Sequence, residues 1–506
     1  MELELRRDVI NCFELVLDTT VCQEETQEAI VPDACPDILR ILDSRAQACL
    51  TGKQLRDGAV TVTGLVRACV FYLPEAGEGV RHMDAALPFT CQAEAKALTG
   101  QGSVIAVPRV RWCEARALNP RKVLIRADLA VDLQAYQPME LNLCCGVEEG
   151  EEHGIRQLLS EQSADVTTSV QEKPFTFSET VDFALSGGDR GEILSLQAEP
   201  YCTESKLIGS KLIFKGSVEL EALLMDGGEM KTVRQSLAFS QIMEVAGAGE
   251  SCECELRVAL ADLTLQRAEE AAAGEVTLEL LAQAVVRETR QMTVLCDVYS
   301  TNWQMETKTV SHMLAHTTER GVRAIPVREL METPAMVRTV AHSWVDLGEI
   351  RVNREGEQSV LTADVQFTAL YIDDGEQLQS VRKTFQIQCR VETPAGSSCQ
   401  CWCSAPRELF VTPAAGGLEV RFSLDFHCLV LVRQSLEAVS GADLGEERPR
   451  ADGTQPSIIL RLAAPGERLW DIAKSYGTTS EEIIQANELE EDALPSGKML
   501  LIPRVR

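Results

Sequence analysis

The sequence lacks any excess of positive charge. Its 506 residues carry 77 Asp and Glu against 48 Lys and Arg, a formal net charge of -29. Binding nucleic acid or an anionic membrane by charge alone needs the opposite balance, so neither is expected as a partner. The chain also lacks a run of about 18 apolar residues, so no transmembrane helix and no direct membrane insertion are expected. Its opening residues, MELELRRDVINCFELVLDTT, break every apolar group with charges. They lack the ~7–15-residue apolar stretch of a secretory signal. The expectation is a protein that stays in the cytoplasm of the cell that makes it.

Metal and catalytic signatures are missing too. Eighteen cysteines are present, yet none form a Cys-x-x-Cys pair or a Cys/His set with zinc spacing. Cys252 with Cys254, and Cys399, Cys401 and Cys403, stand at spacing two, on one face of a strand. They read as small buried hydrophobes in a reducing compartment. Disulfide cross-linking in a late, oxidised assembly is the competing reading. His312 and His316 in HMLAH have the spacing of a helical zinc pair, but Met313 replaces the general base. His82, His153, His342 and His427 have no local partner. SGGDRG, residues 186–191, lacks the Lys-Ser/Thr ending of a phosphate loop. No catalytic residue, metal or cofactor is assigned, and the chain is not expected to be an enzyme.

What is present is β-alternation, three times over. VTVTGLVRACVFYLPE (60–75), LIFKGSVELEALLMDG (212–227) and SVLTADVQFTALYIDD (359–374) align. Gly64, Gly216 and Ala363 then coincide, as do Tyr72, Leu224 and Tyr371. A small residue at one strand position suits close approach of a backbone or a ring. Each segment is followed by further alternating stretches, such as KVLIRADLAVDLQAY, GEVTLELLAQAVVRE and LEVRFSLDFHCLVLV. The fold class expected is mainly β, with three β-rich domains over 1–150, 151–312 and 313–435 and a polar linker over 436–456. Helical pieces are expected at 155–162, around 266–272, at 38–42 and in residues 457–506. In VPDACPDILRIL, Val31 to Leu42, Pro36 and Asp37 read as a helix start, with Ile38, Leu39, Ile41 and Leu42 as its apolar face.

That VPDACPDILRIL segment, followed by GKQLRDGAVTVTG, resembles the SPOCS domain of clostridial sporulation and spore-coat proteins. The resemblance covers about residues 28–435 and is weaker in the second and third copies.

The C-terminus is different. LWDIAKSYG places Leu469, Ile472, Ala473 and Tyr476 on one helical face, with Gly477 as its stop. Thr479 with Glu482 reads as a capping box for a second helix. SIILRL and KMLLIP supply flanking strands. This βααβ module resembles LysM through Pro465-Gly466, Leu469-Trp470, Ile472-Ala473, Tyr476-Gly477-Thr478, Asn487, Leu494, Gly497 and Leu500 to Pro503. The family binds N-acetylglucosamine polymers, chiefly peptidoglycan and chitin. The resemblance implies a groove lined by Gly466, Glu467, Arg468, Leu469, Asn487, Glu488 and Leu489.

Two features depart from the family. Gly466-Glu467-Arg468 stands where Gly-Asp-Thr is usual, which removes the N-cap hydroxyl. The loop ELEEDAL adds Glu488, Glu490, Glu491 and Asp492. Trp470 is expected to pack on the module's own core.

SPOCS-like repeats with one terminal LysM resemble clostridial proteins that bind the coat morphogenetic ATPase SpoIVA. That implies a non-enzymatic adaptor in the mother cell, attaching coat to the forespore surface with LysM as its docking tip. The alternative is a peptidoglycan binder anchoring to cortex or wall.

Overall fold

Alternation at period two makes strands whose inward residues meet across a sheet. The computed structural model describes all residues except 77–78, 149–152, 184–191, 246–248, 250, 268–272, 449–457, 465, 490–496, 498 and 504–506. It is mainly β, as expected, with two short helices in the C-terminal module.

Three long antiparallel ribbons frame the molecule. Strand β1 (Leu5–Ile30) pairs with β6 (Lys122–Val147). Strand β7 (Ile155–Asp182) pairs with β12 (Ala273–Ser300), and β13 (Trp303–Glu332) with β19 (Gly417–Glu447). Each ribbon brackets a three-stranded antiparallel sheet. The first is β2 (Ile38–Arg56), β3 (Ala59–Pro74) and β4 (Arg81–Glu94). The second is β8 (Glu192–Ile208), β9 (Lys211–Asp226) and β10 (Glu229–Glu244). The third is β14 (Val337–Glu355), β15 (Gln358–Asp373) and β16 (Leu378–Glu392). A further strand then lies along each ribbon: β5 (Ser103–Asn119), β11 (Glu253–Gln266), and β17 (Ser397–Ser404) with β18 (Leu409–Ala414).

Each small sheet packs on one half of its own ribbon. Val60, Val62, Val66 and Val70 of β3 meet Val123, Ile125 and Leu129 of β6 in one core. Burial of each such side chain stabilises by about 1.5–3 kcal/mol. The other ribbon halves converge on one another. Ile10 and Leu143, Val166 and Val294, and Leu314 and Ala438 form a shared core drawn from all three ribbons.

The middle strands β3, β9 and β15 are each 16 residues long, and Gly64, Gly216 and Ala363 are the sixth residue of each. A Cβ on Gly64 would clash with the Cys49 carbonyl and the Phe89 ring; on Gly216, with the Tyr201 carbonyl and the Phe239 ring. The glycines thus sit under a neighbouring backbone and an aromatic ring. Ala363 faces Ile387 instead, and the strand beside it carries one extra residue between Leu347 and Ile350. Phe71, Leu223 and Leu370, again at one matched position, meet in a core that joins the three sheets.

Several expectations are corrected. Residues 155–162 are the start of β7, paired with the end of β12; eight residues cannot nucleate a helix against such pairing. Residues 38–42 are strand, with Ile41 opposite Tyr72 of β3. The turn before them wraps Arg121, whose guanidinium donates to the carbonyls of Val31, Pro32 and Cys35 and to the Asp37 carboxylate. The boundary at 312/313 falls inside β13, and residues 436–447 are the end of β19 rather than linker. The rest of that linker beyond Arg448, the 268–272 part of the expected helix and the SGGDRG stretch lie outside the described residues.

Candidate functional site

The C-terminal module is built from β20 (Ile458–Leu462), α1 (Leu469–Tyr476), α2 (Ser480–Asn487) and β21 (Met499–Pro503). Helix α1 buries Leu469, Ile472 and Ala473 and stops at Gly477, left-handed at φ 66. Such a φ suits glycine. The expected capping box opens α2: the Thr479 hydroxyl accepts from the Glu482 N–H at 3.1 Å, and the Glu482 carboxylate accepts from the Thr479 N–H at 3.4 Å. Leu469, Ile472, Ala473, Ile483, Leu500 and Ile502 form the module's core.

The seven expected groove residues separate into two groups. Leu469 is fully buried in the core. Asn487 clamps β21, donating to the Leu501 carbonyl and accepting from its N–H, both at 2.7 Å. Glu467 folds back, pairing with Arg461 and accepting from the Ala464 N–H at 3.1 Å. Leu489 is half-buried against the core. Gly466, Arg468 and Glu488 are exposed, and they carry what chemistry the described rim presents. Arg468 occupies the N-cap position of α1 and makes no side-chain cap bond. Its guanidinium instead forms a two-pronged bond to Asp471, both contacts at 2.8 Å, which holds the Asp471 carboxyl below its ordinary range. The Gly497 N–H reaches the Ala463 carbonyl at 3.4 Å and ties the two rim loops. Glu490, Glu491, Asp492 and Leu494 lie outside the described residues.

Trp470 packs against the module's core, as expected, and also reaches the body of the molecule. Its indole packs edge-on against Tyr299 of β12, with ring centroids 4.8 Å apart. Its N–H donates to Asp297 at 2.7 Å, and Lys474 reaches the same carboxylate at 2.6 Å. The Tyr299 hydroxyl donates to the Thr478 carbonyl at 2.8 Å. The module is therefore docked on the second ribbon, with Tyr299 completing its core. Sequence reading missed Asp297 and Tyr299 because both lie about 170 residues from their partners.

His312 and His316 lie on extended β13, so their spacing spans about 13 Å rather than one helical turn. Among the described residues no cluster of three or more His, Cys, Asp or Glu could hold a metal, and no helix is long and apolar enough to cross a membrane.

Between the three units lies a chamber of about 1270 Å³, lined in part by Arg45, Glu221, Arg109, Asp132, Glu199 and Asp346. Arg45 pairs with Glu221 and Arg109 with Asp132. Enclosure pushes the Asp346 carboxyl up to about 7, against the pull of Arg45 and Arg382, while Glu199 is exposed at the chamber wall.

Residues 464–503 match the model of the LysM domain family, and residues 189–267 match that of the SipL, SPOCS domain. The chain joins a SPOCS domain to a C-terminal LysM domain. The SPOCS match spans β8 to β11 in the second unit; the residues that carried the resemblance in the sequence lie in the first. Both matched families are non-catalytic. No curated protein and no solved structure matches the chain.

Proposed function

We propose that this chain is a non-enzymatic sporulation adaptor that attaches spore coat to the forespore surface in the mother cell. Three SPOCS-like units, over 5–147, 155–300 and 303–447, make the scaffold, and the LysM module is its protein-docking tip. The partner is a coat morphogenetic ATPase of the SpoIVA type. The observation that carries this reading is a SPOCS and a LysM domain on one chain. The matched strand lengths and matched Gly64, Gly216 and Ala363 positions support three related units. The charged rim supports a protein ligand: Arg468 and Glu488 face solvent, where a neutral glycan calls for uncharged hydrogen-bonding groups.

The test is co-precipitation of the full chain from sporulating-cell extract, beside pelleting with purified peptidoglycan. The adaptor reading expects recovery of a coat ATPase, weakened by Arg468→Glu, and little pelleting. Strong pelleting with no protein recovered would replace it with glycan anchoring.

A further inference from the structure

The two-stranded sheet of the LysM module has two unlike faces. Leu500 and Ile502 point into the module's core, with Ile459 packed against it. Ile458, Leu460 and Leu462 of β20 and Met499 and Leu501 of β21 point the other way. Those five side chains are 54%, 65%, 61%, 56% and 38% exposed. The register sets Leu460 opposite Leu501 and Leu462 opposite Met499, so they form one continuous surface. The strands' one charged residue, Arg461, lies on the opposite face with Ile459, where it pairs with Glu467 and lies over the Tyr476 ring at 5.5 Å.

Single exposed leucines are ordinary, but a contiguous apolar patch on the order of 500 Å² is not. We propose that this face is a self-association surface whose occupant is the same face of a second copy of the chain. Two copies would together bury about 1,000 Å², near the lower limit of a specific interface. An isologous contact needs only a surface that complements itself. A flat row of aliphatic side chains satisfies that, with two sheets interleaving at about 10 Å. The Leu460–Leu501 pair, central in the register, sits next to the two-fold axis. Among the described residues this face carries no charged side chain to select a charged partner. A self-complementary aliphatic row is met by its own copy without a charge requirement, and the chain's net charge of -29 disfavours an anionic membrane as the occupant.

The experiment is sedimentation equilibrium of the full chain across the micromolar range. The expected result is a mass that rises toward twice the monomer's with concentration. Leu460→Glu and, separately, Leu462→Glu should each weaken association about tenfold or more, because each buries an unpaired charge at the contact. Circular dichroism checks that the variants stay folded. A wild-type chain that remains monomeric overturns the proposal, and so does a dimer that both folded variants leave unchanged. Flotation of a monomeric wild type with phosphatidylglycerol vesicles would overturn it in favour of a membrane contact.

Discussion

Trp470 on the first helix of the LysM module stands edge-on to Tyr299 at the end of β12, 4.8 Å between ring centroids. This pair fixes how the module is carried. A module of about fifty residues has a small core and limited stability of its own. Here a tyrosine from the body enters that core, and the Asp297 carboxylate accepts from both Trp470 and Lys474. The module is thus a docked element with a set orientation. Its exposed rim at Arg468 and Glu488 is offered in one direction relative to the ribbons.

Asp297→Ala should loosen that dock while leaving the module folded. Two charge-assisted hydrogen bonds are lost, a cost of about 1.5–3 kcal/mol. Hydrogen exchange is the measurement. Amides of α1 and of residues 297–300 should exchange faster together, while α2, held by its own capping box, changes little. Unchanged exchange in both segments would show that Asp297 does not secure the module.

The buried glycines make a second prediction. Gly216→Ala should destabilise by about 1–3 kcal/mol, because the new methyl overlaps a backbone carbonyl as well as the Phe239 ring. Gly64→Ala should do the same. Shrinking the ring alone, as in Gly216→Ala with Phe239→Leu, should not restore full stability, since the Tyr201 carbonyl stays in place. Denaturant melts of the three variants decide this; a neutral Gly216→Ala would mean the strand yields easily.

The glycine positions were legible because their reason is local: a small residue recurring at one place in an alternating strand. The capping box and the Gly477 stop were legible for the same reason. The pairing of β1 with β6, across about 90–140 residues, was not, because alternation gives the face a residue points to and never the strand beside it. Residues 38–42 were misread because four apolar residues around Arg40 fit a helix turn and a buried strand equally well. The packing of Trp470 on its module's core was legible because a large ring wants burial; its contacts with Tyr299 and Asp297 were not, because nothing in its neighbourhood names the second element. Within the groove, Asn487 matched the family's pattern through a structural clamp on β21 rather than through a free side chain.

All eighteen cysteines are free thiols, and Cys22 alone is exposed. Burial pushes many of them up; the thiols of Cys49 and Cys91 rise to about 11. Thiolate is the reactive form, so the native protein should react slowly with a thiol reagent at neutral pH. Cys22 should be labelled first, and denaturation should release all eighteen. Cys401 and Cys428 face each other across β17 and β19, so an added oxidant should join that pair before others. Mass mapping that finds a different first bridge would contradict the register.

The seam between the units should respond to acid through Glu221. Burial alone would raise this carboxyl, but Arg45, with His342 and Arg234 behind it, holds it down at about 2 against an ordinary 4.5. A carboxyl depressed by folding stabilises fully above its unfolded pKa and loses that contribution as pH falls through the folded one. The Glu221 contribution is therefore intact above about pH 4.5 and fades toward pH 2. Glu221→Gln should cost about 3–5 kcal/mol at pH 7, since it leaves Arg45 enclosed beside a neutral group. The gap between variant and wild type should close as pH drops from 4.5 to 2.

Asp346 should behave in the opposite sense. Burial pushes its carboxyl up to about 7 against an ordinary 3.8, with Arg45 and Arg382 opposing. The folded chain then holds a proton that the unfolded chain has released, so stability falls as pH rises between 3.8 and about 7. Asp346→Asn mimics the protonated form and should flatten that decline, gaining on wild type at pH 8 relative to pH 5. Melting temperatures of both variants across pH 2–8 test the two signs together. Parallel curves for wild type and Glu221→Gln would remove the ion pair from the account of the seam, and a parallel curve for Asp346→Asn would mean that its carboxylate is already ionised at pH 5.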